Sequence, residues 1–88
     1  MDEQINKRCS IVMATYNGEK YIKKQIDSIL ENMNKMDELI ISDDGSTDDT
    51  IKIINEYKDE RIKLIKGPRK GVKQNFANAI DNATGKYI

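Results

Sequence analysis

The hydrophobic positions along the chain change their period several times, and each change marks a predicted element. A mostly continuous apolar run at residues 9–14 predicts a short strand that is buried on both faces, and the run at 38–42 predicts a second buried strand. Residues 61–66 alternate polar and apolar side chains, which predicts a strand with one more exposed face. Residues 86–88 open a further strand, and the charged residues 1–8 are expected to be disordered.

Between these strands, apolar residues recur at helical spacing, which predicts helices over 19–33, 48–57 and 72–83. We expect Ser46 or Thr47 to cap the second helix, with Asp48 and Asp49 in its first turn, where the helix dipole favours negative charge. The inward faces of the three helices are predicted to carry, in chain order, Ile22, Ile26, Ile29, Leu30 and Met33; Ile51, Ile54 and Tyr57; and Val72, Phe76, Ala79, Ile80 and Ala83.

Strand and helix therefore alternate three times with short loops, which is typical of an α/β fold. We predict a three-layer, Rossmann-like parallel sheet with right-handed helical crossovers, formed by residues 1–88 as a single partial domain. In such a fold the loops that follow the strands gather at one edge of the sheet. The polar loops 15–17, 43–50 and 67–71 are thus expected to converge and form a site.

Composition excludes several classes of chemistry. Fifteen basic and fifteen acidic residues cancel, so no overall field attracts nucleic acid or an anionic membrane surface. The chain has no histidine, which excludes Ser-His-Asp and Cys-His catalysis and histidine metal sites. Its single cysteine, Cys9, excludes an internal disulfide and fits a reducing compartment. No apolar run is long enough to span a bilayer, so a cytoplasmic location without a membrane segment is expected.

The residue types at the strand ends leave two interpretations open. Asp43 and Asp44 are well placed to accept hydrogen bonds from a base or a sugar hydroxyl, but they could equally turn the chain and bind a loop amide. Tyr16 either stacks on a nucleobase or covers the end of the sheet. Arg69 and Lys73 flank the start of the third helix, where a phosphate group would be favourable, although surface lysines are common.

Four stretches taken together, 10–17, 38–48, 71–77 and 83–88, resemble the start of the family 2 glycosyltransferases with a GT-A fold. The resemblance implies that this region holds the nucleoside of a UDP- or TDP-sugar donor. It implies that Ala14, Thr15 and Tyr16 line the base and ribose pocket, and that Asp44 accepts a hydrogen bond from the uracil or thymine imide. Asp43 would support the loop, with Arg69 and Lys73 near the diphosphate.

The family coordinates Mn²⁺ or Mg²⁺ through an Asp-x-Asp motif, and no such motif occurs in these 88 residues. The resemblance thus implies a parent enzyme that transfers a sugar to a saccharide acceptor in bacterial polysaccharide biosynthesis, with its metal and catalytic residues elsewhere. This portion alone is expected to bind no metal, to be inactive, and to self-associate through an exposed sheet edge. The full-length enzyme would work in the cytoplasm, at the inner face of the membrane. The alternative is a non-catalytic nucleotide-binding or assembly module.

Overall fold

Strands and helices alternate along the chain, as the hydrophobic pattern predicts. The computed structural model describes residues 9–83 and the backbone of residues 86–87; the predicted disorder of residues 1–8 and the end of the last strand at Ile88 lie outside the described residues. The strands are β1 (Cys9–Thr15), β2 (Glu38–Asp43), β3 (Ile62–Lys66) and β4 (Lys86–Tyr87). The helices are α1 (Ile22–Glu31), α2 (Thr50–Asn55) and α3 (Val72–Asp81).

The four strands form one sheet in the order β3-β2-β1-β4, and each pairing is parallel. This arrangement confirms the α/β prediction. In the register, Thr15 lies beside Asp43, and Asp43 lies beside Lys66, so the last residues of β1, β2 and β3 are direct neighbours. Each loop that follows therefore starts from the same edge of the sheet.

Helices α1 and α2 cover one face of the sheet and α3 covers the other, which gives three layers. The core under α1 and α2 is formed by Leu39 and Ile41 of β2 together with Ile22, Ile26, Met33 and Ile54 of the helical side. Ile29, Leu30 and Tyr57 pack partly against it, so the predicted inward face of α1 is confirmed. In α2, however, Ile53 packs against the core beside Ile54, whereas the predicted inward residue Ile51 is exposed.

The two strands predicted to be buried differ from each other. Every residue of β2 is buried, because β2 lies inside the sheet with helices on both sides. In β1 only Ser10 and Thr15 are buried, and the other residues, including Cys9, are half-buried. The prediction was therefore wrong for most of β1, since the described helices cover that strand only in part.

Helix α3 presents to the sheet a face that agrees only in part with the predicted one. Ala79 is buried as predicted and Asn75 is buried as well, whereas Val72 is 78% exposed and Phe76 is 42% exposed. The predicted inward positions of Val72 and Phe76 were wrong, because polar side chains of α3 pair with polar atoms at the ends of the strands. The spacing of the apolar residues alone does not show which face of α3 contacts the sheet.

Candidate functional site

The three polar loops predicted to converge do meet at the carboxyl edge of the sheet. Backbone hydrogen bonds join them: the Asp44 amide donates to the Thr15 carbonyl at 2.9 Å, and the Gly67 amide donates to the Asp43 carbonyl at 2.7 Å. Loops β1–α1, β2–α2 and β3–α3 therefore form one continuous surface around the pair Asp43 and Asp44.

Asp43 is the buried support of this surface, with 4% of its area exposed. Oδ1 accepts hydrogen bonds from the hydroxyls of Thr15 at 2.7 Å and Ser46 at 2.6 Å. Oδ2 accepts from the backbone amides of Gly45 at 3.1 Å and Ser46 at 2.8 Å. All four bonds remain within the loops, so the carboxylate fixes the conformation of the turn that follows β2.

Asp44 is half-buried and ties the β3–α3 loop to the end of β2. Its Oδ1 accepts a short hydrogen bond from the Arg69 amide, and its Oδ2 accepts one from the Gly71 amide at 3.3 Å. The loop can approach this closely because Gly67 has no side chain: a Cβ atom there would lie 2.7 Å from Asp44 Oδ1. A carboxylate oxygen has lone pairs for more than one donor, so Asp44 can accept a further hydrogen bond.

The start of α2 is built differently from the prediction. The helix begins at Thr50 after Asp49, and neither Ser46 nor Thr47 caps it. Asp48 Oδ1 instead accepts from the Thr50 amide at 3.0 Å and from the Thr50 hydroxyl at 2.5 Å. Partial desolvation acts to raise the pKa of Asp48, but these hydrogen bonds outweigh it and the pKa is lowered. Asp48 lies before the helix rather than in its first turn.

Loop β1–α1 is held against the acidic loop by Asn17, which adopts a positive φ of 52°. Its amide donates to Ser46 Oγ at 2.8 Å, and its side-chain Oδ1 accepts from the Thr47 amide at 2.8 Å. Tyr16, just before it, is 56% exposed, and Ala14 is half-buried in β1. The ring of Tyr16 is therefore accessible beside the acidic loop.

A cleft of about 290 Å³ opens next to this loop, between the ends of β2 and β3 and the start of α2. Apolar side chains of Ile51 and Leu64 line it together with Asp43, Lys66 and Arg69. Among the site residues predicted from the sequence, Asp43 and Arg69 line this cleft; the others do not, namely Ala14, Thr15, Tyr16, Asp44 and Lys73. The exposed Ile51, which was predicted to lie in the core, forms part of the wall of this cleft.

The two basic site residues from the sequence differ in their positions. Arg69 has a positive φ of 61° and lies along the acidic loop, where a Cβ atom built on Gly45 would be 2.9 Å from Arg69 Nε. Lys73 is exposed in the first turn of α3. The fold thus brings Arg69 to the acidic loop and leaves Lys73 on the adjacent helix surface.

Sequence reasoning missed a group of polar side chains on the α3 side of the sheet. Ser42 and Asn75 are almost fully buried, and the Ser42 hydroxyl donates to Asn75 Oδ1 at 2.6 Å. The signal was present as amides at positions 75 and 78, three residues apart and on one face of a helix. These two amides interrupt the apolar stripe on the side that faces the sheet.

Within residues 9–83, no three Asp, Glu, Cys or His side chains converge to hold a metal ion. Asp43, the most deeply buried acidic residue of the site, uses both oxygens within its own loops. The described residues therefore do not fit a Mn²⁺ or Mg²⁺ centre. No described helix is long and apolar enough to cross a membrane.

The family sequence model described as glycosyl transferase family 2 matches residues 10–88, which is almost the whole chain. The chain belongs to glycosyl transferase family 2. This family 2 chain spans about a third of the length of the first curated relatives it matches. One relative is an Escherichia coli protein named UDP-Glc:alpha-D-GlcNAc-diphosphoundecaprenol beta-1,3-glucosyltransferase WfaP. It is 44% identical over 80 residues, which cover 90% of this chain and 32% of that protein.

Solved structures of two other proteins share the fold. TarS 1–349 from S. aureus, in complex with UDP-GlcNAc, matches with a TM-score of 0.81 and 27% identity, covering 92% of this chain and 26% of that one. The mannosyltransferase PcManGT from Pyrobaculum calidifontis, in complex with GDP-Man and Mn²⁺, matches with a TM-score of 0.79 and 26% identity, covering 89% and 25%. The fold of this family 2 chain is thus that of the GT-A glycosyltransferases.

Proposed function

We propose that the chain is the donor-binding portion of a glycosyltransferase that transfers a sugar from a UDP- or TDP-sugar to a saccharide acceptor in bacterial polysaccharide biosynthesis. The observation that carries the proposal is the convergence of three loops on Asp44 in a chain that belongs to glycosyl transferase family 2. The relative WfaP, whose name includes a UDP-glucose donor, supports the donor class.

Asp44 is the proposed base-reading residue. Its carboxylate is half-exposed and can accept the imide N–H of uracil or thymine in addition to its two loop amides. Ala14, Thr15 and Tyr16 are proposed to line the base and ribose pocket, with the accessible ring of Tyr16 against the base. Asp43 has the indirect role of holding the loop that carries Asp44.

Arg69 and Lys73 are proposed to lie near the diphosphate. Arg69 is next to the acidic loop, and Lys73 is in the first turn of α3, where the helix dipole adds to its positive charge. The two side chains would approach the diphosphate from the loop and from the helix. Neither is buried, so both would act mainly through charge attraction.

The chain alone is proposed to bind nucleotide without turnover. Since no metal centre fits the described residues, we derive no catalytic step from this chain. In the parent enzyme, Mn²⁺ or Mg²⁺ would be held by an Asp-x-Asp motif outside these 88 residues. Sugar transfer or donor hydrolysis by the purified 88-residue chain would contradict this part of the proposal.

A calorimetric titration of the chain with UDP and with TDP, each with and without Mn²⁺, tests the binding function. We expect weak binding of both nucleotides, with a dissociation constant that Mn²⁺ does not change, because the pocket recognises the nucleoside and lacks metal ligands. Absence of binding under both conditions would contradict the proposal. A strong requirement for Mn²⁺ would show that this chain supplies metal ligands after all.

A non-catalytic nucleotide-binding or assembly module is the second candidate, favoured by the lack of an Asp-x-Asp motif in the sequence. Both candidates bind nucleotide, so binding does not separate them. A sugar-transfer assay on the product of the entire coding sequence does: transfer supports the enzyme, and its absence with intact nucleotide binding supports the module.

We also propose self-association and a location for the activity. In the sheet order, β3 and β4 are the edge strands of the described residues, and an open edge can pair with a second copy.

The cytoplasm, at the inner face of the membrane in the full-length enzyme, is the proposed location. The lone cysteine fits a reducing compartment, and WfaP is named for an acceptor that carries undecaprenol.

A further inference from the structure

Two asparagines of α3 bind the carboxyl ends of three neighbouring strands. Asn75 is 2% exposed; its Nδ2 donates to the Thr15 carbonyl at 3.3 Å and its Oδ1 accepts from the Ser42 hydroxyl at 2.6 Å. Asn78 Nδ2 donates to Ser42 Oγ at 3.0 Å and to the Lys66 carbonyl at 2.9 Å. One helix is thereby fixed to β1, β2 and β3 by side-chain amides.

These bonds lie just before each of the three loops of the site. Thr15 and Lys66 are the last residues of β1 and β3, and Ser42 is the second-last residue of β2. The Thr15 carbonyl accepts from both Asn75 Nδ2 and the Asp44 amide, the latter at 2.9 Å. A shift of Asn75 would therefore act directly on the backbone that carries the proposed base-reading carboxylate.

Packing alone does not explain a buried amide at this position. A buried amide loses its hydration and is tolerated only when its polar atoms are bonded, whereas an apolar side chain would fill the same space without that requirement. What the amide adds is direction, since its donor and its acceptor each need a partner at a defined angle. Both partners of Asn75 belong to strand ends next to the site.

We propose that Asn75, acting with Ser42, is a positioning residue for the donor nucleotide. It holds Tyr16 and Asp44 in the relative arrangement that base binding requires, and it does not itself touch the nucleotide. This inference rests on the proposed function of the site. It adds that nucleotide binding depends on two buried residues, Asn75 of α3 and Ser42 of β2, which lie behind the binding surface.

Titrations of UDP and TDP into Asn75→Ala and Ser42→Ala test the proposal. We expect about tenfold weaker binding or more for each, the loss associated with one or two hydrogen bonds. Asn82→Ala is the matched control, because Asn82 is an exposed amide of the same region whose side chain, among the described residues, bonds its own helix, at the Asn78 carbonyl 2.9 Å away. This control is expected to bind nucleotide like the wild type.

A second control separates positioning from general destabilisation. Ile26→Val removes one methylene from the core under α1, on the opposite face of the sheet, and is expected to lower the melting temperature without weakening nucleotide binding. If Ile26→Val weakens binding as much as Ser42→Ala at a comparable melting temperature, the positioning role is wrong. Folded Asn75→Ala and Ser42→Ala proteins that bind UDP and TDP like the wild type would also overturn it.

Hydrogen exchange of the Asp44 amide gives a readout that needs no ligand. Ser42→Ala should accelerate this exchange, because Asn75 loses one of its two partners and its bond to the Thr15 carbonyl weakens, while Asn82→Ala should leave it unchanged. Should wild type bind neither nucleotide, the proposed function fails and the nucleotide-positioning role fails with it; the exchange rate then tests only whether Asn75 holds the backbone of Asp44 through the Thr15 carbonyl. Unchanged exchange at Asp44 in Ser42→Ala overturns that backbone role.

Discussion

At the scale of single residues, the adjacent carboxylates Asp43 and Asp44 have opposite tasks. Asp43 is 4% exposed and receives four hydrogen bonds from its own loops, whereas Asp44 is half-buried and receives bonds from the β3–α3 loop. Side chains of neighbouring residues at the end of a strand point in different directions, which is why one can support the loop and the other can face a ligand.

The exchange Asp44→Asn tests the base-reading role. The amide keeps the shape of the side chain but replaces one acceptor oxygen with a donor, so it can no longer accept from both loop amides and an imide together. We expect about tenfold weaker binding of UDP and TDP in a titration. Asp49→Asn, at an exposed position just before α2, is the control and should bind like the wild type. Equal affinity of Asp44→Asn and the wild type would refute the assignment.

Gly67→Ala tests the close approach of the β3–α3 loop to Asp44. Its Cβ atom would come closest to Asn75 Oδ1, and would also lie 2.7 Å from Asp44 Oδ1 and 3.0 Å from Asp44 Cα, so the loop backbone and the Asn75 side chain must shift. We expect a loss of about 1–3 kcal/mol in the free energy of unfolding by urea, the usual cost of overpacking. In Gly18→Ala the nearest atoms, at 3.2 Å, belong to the exposed ring of Tyr21, which can move. A smaller loss is expected there, and equal losses would count against the steric explanation.

At the scale of elements, the existence of each helix followed from apolar spacing, but two inward faces did not. The inward face of helix α1 matches its prediction, because five apolar residues at helical spacing allow only one face to be buried. In α3 the amides Asn75 and Asn78 bind Ser42 and two strand-end carbonyls. That pairing depends on where other strands end, and no local pattern encodes it. The start of α2 likewise depends on which of several Asp, Ser and Thr residues binds the Thr50 amide.

The entry to β3 provides a test of pH dependence. Arg61 donates to Asp59 through its side chain and backbone, which together hold the pKa of Asp59 at about 2, against a smaller opposing effect of burial. A carboxyl group whose pKa is lowered by folding stabilises the fold above its unfolded pKa near ~4, and this contribution is lost as the pH falls through the folded value. Wild type should therefore lose free energy of unfolding between pH 4 and about pH 2.

Asp59→Asn removes this contribution and should be less stable than the wild type at pH 7. The difference between the two proteins should shrink as the pH is lowered from 4 towards about 2. Urea unfolding at three pH values measures it, with Asp49→Asn as the control that keeps the ion pair of Asp59 and Arg61, 2.7 Å apart. A difference that does not depend on pH would contradict the electrostatic origin of the effect.

At the scale of the whole molecule, the alternation of strand and helix was sufficient to predict a parallel sheet, but not the order of its strands. Parallel strands have their carboxyl ends at one edge, as observed in the sheet of order β3-β2-β1-β4. The convergence of the three loops followed from this rule. The bonds within the site did not, because Asn75 lies 60 residues from Thr15 and 33 residues from Ser42 along the chain, and these contacts require the folded geometry.

Sedimentation equilibrium of the chain over a wide concentration range tests the proposed self-association. We expect the apparent mass to rise with concentration, because an edge strand with unpaired backbone groups favours pairing with another copy. Val72→Ser, which removes the most exposed apolar side chain among those of α3, should not change this rise if the contact is made by the sheet edge. A constant monomer mass would contradict self-association, and dissociation by Val72→Ser would assign it to α3.

Mapping UDP onto the chain by two-dimensional NMR tests the central claim most directly. The account predicts that the amide signals that shift on adding UDP cluster at the carboxyl edge, at Tyr16, Asp44 and Gly71. Signals at the opposite edge, such as Asp37 and Arg61, should stay in place. Shifts confined to that opposite edge, or no saturable shifts at all, would contradict a nucleotide site at Asp44.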